Sequence, residues 1–177
     1  MRSVVLAAAL ACVAVPAFAQ SIAVGQSSVS LAINVTGPSG QVARFEVAAL
    51  AAMPQAKVVL TAHGETHAYE GPLLIDVLAK AGAPTGPAIR GPEMADVVLV
   101  TAQDGYRVAL DLAEVDPGVR ADRIILADRV DGHPIDAKDG PVRLVVEGDL
   151  RPARSVRMVR SISVVRAGEW GMTPASH

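Results

Sequence analysis

The chain has 177 residues, a formal net charge of −2 and one cysteine. So small a charge argues against nucleic acid as a partner, because phosphate binding takes a marked basic excess. A single cysteine leaves no internal disulfide to form, so stability has to come from packing of the abundant Val, Leu, Ile and Ala side chains.

The N-terminus reads as a secretory signal. Met1-Arg2 is a short positive end, Val4 to Val15 is an apolar and small-residue run, and Ala17-Phe18-Ala19 is an A-x-A cleavage site. The run is shorter than the roughly 20 residues that cross a bilayer. Two other readings are weaker: a buried N-terminal helix, and a lipoprotein signal at Cys12, for which Ala9 is a poor lead residue. Cleavage after Ala19 predicts a mature chain that starts at Gln20, lies in the periplasm or is secreted, has no membrane span and retains no cysteine.

The predicted elements then follow in order. Residues 21–30 are polar and small, a loose arm. Val29 to Val35 alternates apolar and polar residues, the period of a half-buried strand. Gly37-Pro38-Ser39-Gly40 is a turn, Val42 to Phe45 a strand, Glu46 to Met53 a short helix stopped by Pro54, and Lys57 to Thr61 a strand. His63 to Gly71 is expected to be irregular. Pro72 opens the clearest helix, with Leu73, Leu74, Val77, Leu78 and Ala81 on one face, Asp76 and Lys80 at i, i+4, and Gly82 as its stop. Beyond a Pro/Gly-rich loop, Val97 to Ala102 and Tyr106 to Leu110 form a hairpin around Asp104-Gly105. Leu112 to Val115 reads as a helical turn. Arg123 to Ala127, Val142 to Glu147 and Ser161 to Val165 are strands, with turns at Asp131-Gly132 and Asp139-Gly140. Short strands with one or two helices make an α+β domain.

Five segments, in order, carry a resemblance. They are Tyr69-Glu70-Gly71-Pro72-Leu73-Leu74-Ile75-Asp76-Val77-Leu78, Thr101-Ala102-Gln103-Asp104-Gly105-Tyr106, Asp131-Gly132-His133-Pro134-Ile135, Gly140-Pro141-Val142-Arg143-Leu144 and Ala153-Arg154-Ser155-Val156-Arg157. The stretch from Val42 to Val165 resembles the oxidoreductase molybdopterin-binding domain family, part of the sulfite-oxidase-like superfamily. The resemblance implies a mixed, curved β-sheet with a few short helices and a cleft for a pterin and its phosphate. It divides the chain into a signal (1–19), an arm with the first strand (20–41), a molybdopterin-binding-like domain (42–166) and a tail (167–177). It also implies that Arg143, Arg154 and Arg157 bind the cofactor, since guanidinium groups take phosphate oxygens in bidentate fashion. On charge pattern alone, the basic run Arg151, Arg154, Arg157, Arg160 reads equally as a solvated face.

Three positions depart from the family pattern. Thr61, or a neighbour within a residue or two, stands where the catalytic members carry a metal-ligating cysteine. A hydroxyl that stays protonated is a poor substitute for a thiolate. Asp139 stands where sulfite oxidases have a histidine, and Glu147 where a proline is usual; Glu147 is expected to oppose an anion in the cleft. His63, Glu65 and His67 would face one side of an extended segment and are weak candidate metal ligands. There is no nucleophile elbow, dinucleotide loop or phosphate loop. Tyr106 reads as a hairpin residue packing on the sheet and Trp170 as a tail residue covering an edge. Three functions stay open: a molybdopterin-binding oxidoreductase-like protein without its own redox turnover, working with a periplasmic redox partner; a cofactor-free module for a small anion or another protein; and a His-loop metal-binding protein.

Overall fold

A computed structural model describes residues 31–166. The expected signal, the residue-20 start, the arm to residue 30 and Trp170 lie outside the described residues. Among those described, eleven strands and two short α-helices build three stacked units. The first is a five-stranded sheet in the order β2-β1-β11-β5-β6, formed by β1 (Ala32–Thr36), β2 (Val42–Glu46), β5 (Val97–Ala102), β6 (Arg107–Asp111) and β11 (Val159–Val165). β1 and β11 pair in parallel, and the other neighbours pair antiparallel. Its inner face carries Ile33, Val35, Val98, Val100, Ile162 and Val164, all buried at every second position, as the pleat dictates.

The second unit is a ribbon of β7 (Ile124–Ala127) and β10 (Arg143–Val146). Its side chains are buried on both faces. Ile124, Leu126, Leu144 and Val146 join the main core with helix α2 (Leu74–Lys80), while Ile125, Ala127 and Val145 join a second core with Val58, Leu60 and Tyr69. A strand enclosed on both sides has no polar face, which is why these segments read as unbroken apolar runs in the sequence. The third unit is the sheet β3-β4-β8-β9, from β3 (Ala56–Ala62), β4 (Glu65–Gly71), β8 (Arg129–Val130) and β9 (His133–Pro134). Helix α1 (Val47–Ala51) follows β2 directly. No helix among the described residues is long and apolar enough to cross a membrane.

One expected element is corrected. His63 to Gly71 is not irregular: from Glu65 it is a seven-residue strand paired with β3 along its whole length. The reversal is the two-residue turn His63-Gly64, both with positive φ (55° and 84°). That geometry matches the twist of the flanking strands, but it usually shows in sequence as Asn-Gly or Asp-Gly, and histidine hid it. The hairpin at Asp104-Gly105 is looser than expected, with β6 beginning at Arg107.

Two glycines fix the local geometry, one at the end of α2 and one at the end of β4. Gly82 takes φ 82° just past α2, where its N–H bonds to the Ala79 carbonyl and the Ala83 N–H reaches back to Leu78, closing the helix as the sequence predicts. Gly71 is a matter of space. A Cβ there would lie 2.1 Å from the Leu126 carbonyl oxygen, so only glycine lets β4 pass this close to β7. The Leu126 N–H donates to Pro72 O (2.9 Å) and the Asp128 N–H to Glu70 O (3.1 Å) across that contact.

Candidate functional site

The end of the β3–β4 hairpin, the start of β10 and the segment around the 3-10 turn Pro152–Arg154 enclose a cleft of about 400 Å³. Tyr69, His67 and His63 come from the hairpin side, Arg143 from β10, and Ser155 and Arg157 from the segment after the turn. His67, Tyr69, Asp139 and Arg143 are shared with an adjoining cavity of about 330 Å³ that runs past Asp131 and His133, so the two form one continuous groove. Arg160 lines a separate cavity of about 220 Å³ beside Leu31 and Pro141.

Arg143 is the first residue of β10, and its stem is partly buried against the second core. The guanidinium carbon lies 5.1 Å from the centre of the Tyr69 ring. One Nη donates to the Tyr69 hydroxyl at 3.2 Å. Its Nε is buried and has no hydrogen-bond partner. Among the described residues no carboxylate forms an ion pair with it. A buried donor without a partner costs free energy unless something accepts from it, and this one belongs to a cation that lines the cleft.

The three arginines expected to bind cofactor are not all brought together. Arg143 and Arg157 line the same cleft, and Arg154 does not. Arg154 holds both oxygens of Asp149 (2.6 and 3.0 Å) and reaches Glu114 at 3.0 Å. Those two carboxylates, Asp149 above all, hold its guanidinium protonated well above the ordinary arginine range. It is therefore neutralised within a partly buried network that also contains Arg120. Arg157 stands at the rim, largely exposed, and donates to Asp139 at 3.0 Å. Arg151 and Arg160 are solvated, as the charge pattern allowed.

The departures from the family pattern also resolve. Thr61 lies inside β3, with its hydroxyl 2.9 Å from that of Thr66 across the hairpin, and it does not line the cleft; Ala62 and His63 do. Asp139 lines the cleft but is taken up by Arg157. The expectation that Glu147 opposes an anion there is corrected. Glu147 grips Arg123 in a two-pronged pair (2.9 and 3.0 Å) and lies outside the groove. The Arg123 hydrogen bonds hold its carboxyl below the usual range.

His63, Glu65 and His67 do line one cleft, as an extended segment requires. His67 is engaged on both ring nitrogens: Nδ1 donates to Asp131 Oδ2 at 2.7 Å, and Nε2 lies 3.5 Å from Glu65 Oε2. The bond to Asp131, and then that to Glu65, raises the imidazole pKa above its ordinary value. Among the described residues no group of three or more His, Cys, Asp or Glu is arranged to hold a metal ion. Tyr106 is half exposed rather than packed on the sheet, and its hydroxyl donates to Ala153 O at 2.8 Å, tethering the turn beside the cleft. Sequence reasoning missed the partnership of His67 with Asp131. The Asp131-Gly132 turn was visible, but nothing in the sequence says that its carboxylate meets a side chain 64 positions away.

The described residues thus form a mixed α+β domain with an arginine-lined groove between a hairpin sheet and a buried ribbon. The chain belongs to the oxidoreductase molybdopterin binding domain family, whose model matches residues 21–172. The fold is similar to that in the crystal structure of the sulfane dehydrogenase SoxCD from Paracoccus pantotrophus. The two share 16% sequence identity with a TM-score of 0.59, over 76% of this chain and 38% of that one. This chain thus corresponds to well under half of that structure's chain. No curated protein sequence matches.

Proposed function

We propose that this is an exported, periplasmic or secreted family member that holds an anionic ligand of the phosphorylated-pterin class in the cleft and has no redox turnover of its own. The observation that carries the reading is Arg143, a cation on the cleft wall with a buried, unpartnered Nε and no carboxylate pair among the described residues. An oxyanion in the cleft would supply the charge partner that this guanidinium lacks among the described residues. Arg157 and His67 supply further positive groups in the same groove.

The donor set suits the anionic end of such a cofactor and not its metal. The cleft offers imidazole, guanidinium, phenol and carboxylate groups. The only cysteine in the sequence is Cys12, within the expected signal. Without a thiolate to anchor molybdenum, the cleft residues have no redox step to perform, and a redox partner has no role in this reading. The export part rests on the Met1 to Ala19 pattern.

Thermal unfolding with phosphate, sulfate and a phosphorylated pterin tests the reading, because a ligand that binds only the native state raises the melting temperature. Each should stabilise the wild type, Arg143→Gln should lose the shift, and Arg160→Ala should keep it. No shift from any of the three overturns the proposal. The cofactor-free module is the second reading, favoured by the Arg157–Asp139 pair, which already neutralises one cleft arginine from within the chain.

A further inference from the structure

The five-stranded sheet ends on two edges, and one of them is complementary to itself. β6 is Arg107-Val108-Ala109-Leu110-Asp111, paired with β5 on one side and with no other strand among the described residues. The bonds that close the β5–β6 ladder at its ends, Leu112 N–H to Asp96 O and Ala102 N–H to Tyr106 O, fix which residues face β5. Backbone groups alternate along a strand. Val108 and Leu110 therefore bond to β5, while Arg107, Ala109 and Asp111 turn their N–H and C=O groups out of the sheet. The Asp111 N–H is capped from within the chain, donating to Glu114 Oε1 at 3.2 Å. Side chains follow the same alternation: Leu110 is buried and Val108 half-buried, whereas Arg107, Ala109 and Asp111 are exposed.

An unpaired strand edge invites another strand, and proteins commonly blunt it with lysines, proline or a bulge. β6 has no lysine or proline, and its register with β5 is unbroken. Its two charges are opposite in sign and equally spaced about Ala109, and neither forms an ion pair among the described residues. The other edge, β2, lacks this symmetry. Centred pairing of its outward residues Val42, Arg44 and Glu46 sets arginine against arginine, and Arg44 already pairs with Glu46 along the strand at 3.3 Å.

We infer that β6 is the contact between two copies of this chain, joined antiparallel about a twofold axis at Ala109. In that register each Ala109 N–H meets the other's carbonyl, and each Arg107 N–H meets the Asp111 carbonyl of the second copy. The Arg107 side chain lies directly opposite Asp111 of the second copy, twice by symmetry, and Val108 lies opposite Leu110. The Asp111 N–H needs nothing from across the interface, because Glu114 already accepts from it. A slip to the next register that keeps the outward groups facing loses both charge pairs, so the charges fix the alignment. No residue lining the groove lies on β6, and the contact does not depend on what the groove holds. One short strand buries less than the ~1,200 Å² of a stable complex. The dimer is therefore reversible and grows with concentration across roughly the micromolar to millimolar range.

Sedimentation velocity of the purified protein over that range tests this, with amide hydrogen exchange at its two ends. Wild type should pass from monomer to dimer, and the Arg107 and Ala109 amides should gain protection. Ala109→Pro removes an outward N–H and leaves the β5 ladder intact, so it should fold and stay monomeric. Arg107→Asp sets like charges opposite each other and should weaken the dimer by about tenfold or more. Asp111→Arg should do the same, and an equimolar mixture of these two charge variants, complementary again, should dimerise. Asp111 Oδ1 also accepts from the Ala113 N–H at 2.7 Å; if Asp111→Arg fails to fold, Ala109→Pro and Arg107→Asp decide. A wild type that stays monomeric throughout overturns the inference, and the charges of β6 then guard the edge. A dimer that persists unchanged in Ala109→Pro and Arg107→Asp also overturns it and puts the contact on another surface.

Discussion

Replacing Gly71 by alanine tests how the fold places the cleft. The new methyl would sit 2.1 Å from the Leu126 carbonyl oxygen and 2.6 Å from the Ala127 Cα, against the 3.4 Å or more of ordinary contact. Both atoms are backbone of β7, which is hydrogen-bonded to β10 on its other side and cannot step aside. The strands must separate by an ångström or so. Overpacking of this kind costs about 1–3 kcal/mol. The two backbone hydrogen bonds that cross the contact add about 1 kcal/mol each if they break. Alanine returns about 0.4–1 kcal/mol by restricting the unfolded chain. The net is a loss of about 2–4 kcal/mol, a large share of the ~5–15 kcal/mol that holds a typical domain together. At roughly 2–4 °C per kcal/mol for a chain of this size, melting should fall by about 5–15 °C. Urea unfolding followed by circular dichroism measures the first number and calorimetry the second. Since β4 also carries His67 and Tyr69, sulfate binding should weaken in parallel. A variant within about 0.5 kcal/mol of wild type would refute the reasoning, because it would mean that β4 and β7 part without cost.

Other substitutions separate stability from binding. Arg154→Ala should leave anion binding unchanged while lowering stability by about 1–2 kcal/mol, because it strips partly buried Asp149 and Glu114 of their cation; a loss of binding with intact stability would put Arg154 in the cleft. Glu147, whose pKa Arg123 depresses below 4.5, contributes stability that is complete above that value and is lost as pH falls through its lower folded value. Wild type should therefore lose more melting temperature than Glu147→Gln on acidification below about pH 4.5, and parallel curves would contradict this. Thr61→Cys should confer no sulfite or sulfoxide turnover even in a molybdenum-replete preparation, because position 61 bonds across the hairpin rather than lining the cleft. Intact mass of the exported protein should lack residues 1–19, and retention of Met1 or a lipid on Cys12 would contradict export through the Ala19 site.

What the sequence could show was governed by how local its causes are. The α2 stop at Gly82, the strands of the large sheet and the turns at Asp104-Gly105 and Asp131-Gly132 depend on neighbouring residues, and they were legible. The β3–β4 reversal was not, because His63 takes a positive φ that histidine seldom advertises. Gly71 could be quoted within a motif, but its reason, the passage of β7 at 2.1 Å, belongs to a strand far along the chain. The arginines were legible as residues and not as a group. Arg143 and Arg157 converge, whereas Arg154 is taken up by Asp149, five positions before it, together with Glu114, 40 positions upstream. Glu147 misled for the same reason, since its charge is cancelled by Arg123 through contacts that no spacing rule encodes.

The central claim is that the cleft holds a phosphorylated pterin-type anion through Arg143. Its most direct test is the small-molecule and metal content of protein purified from a host that exports it, wild type beside Arg143→Gln. Denatured wild type should release a phosphorylated pterin in proportion to protein, and Arg143→Gln should release none. Wild type that releases no pterin, or that instead carries stoichiometric copper or zinc abolished by His63→Ala and His67→Ala, would contradict it.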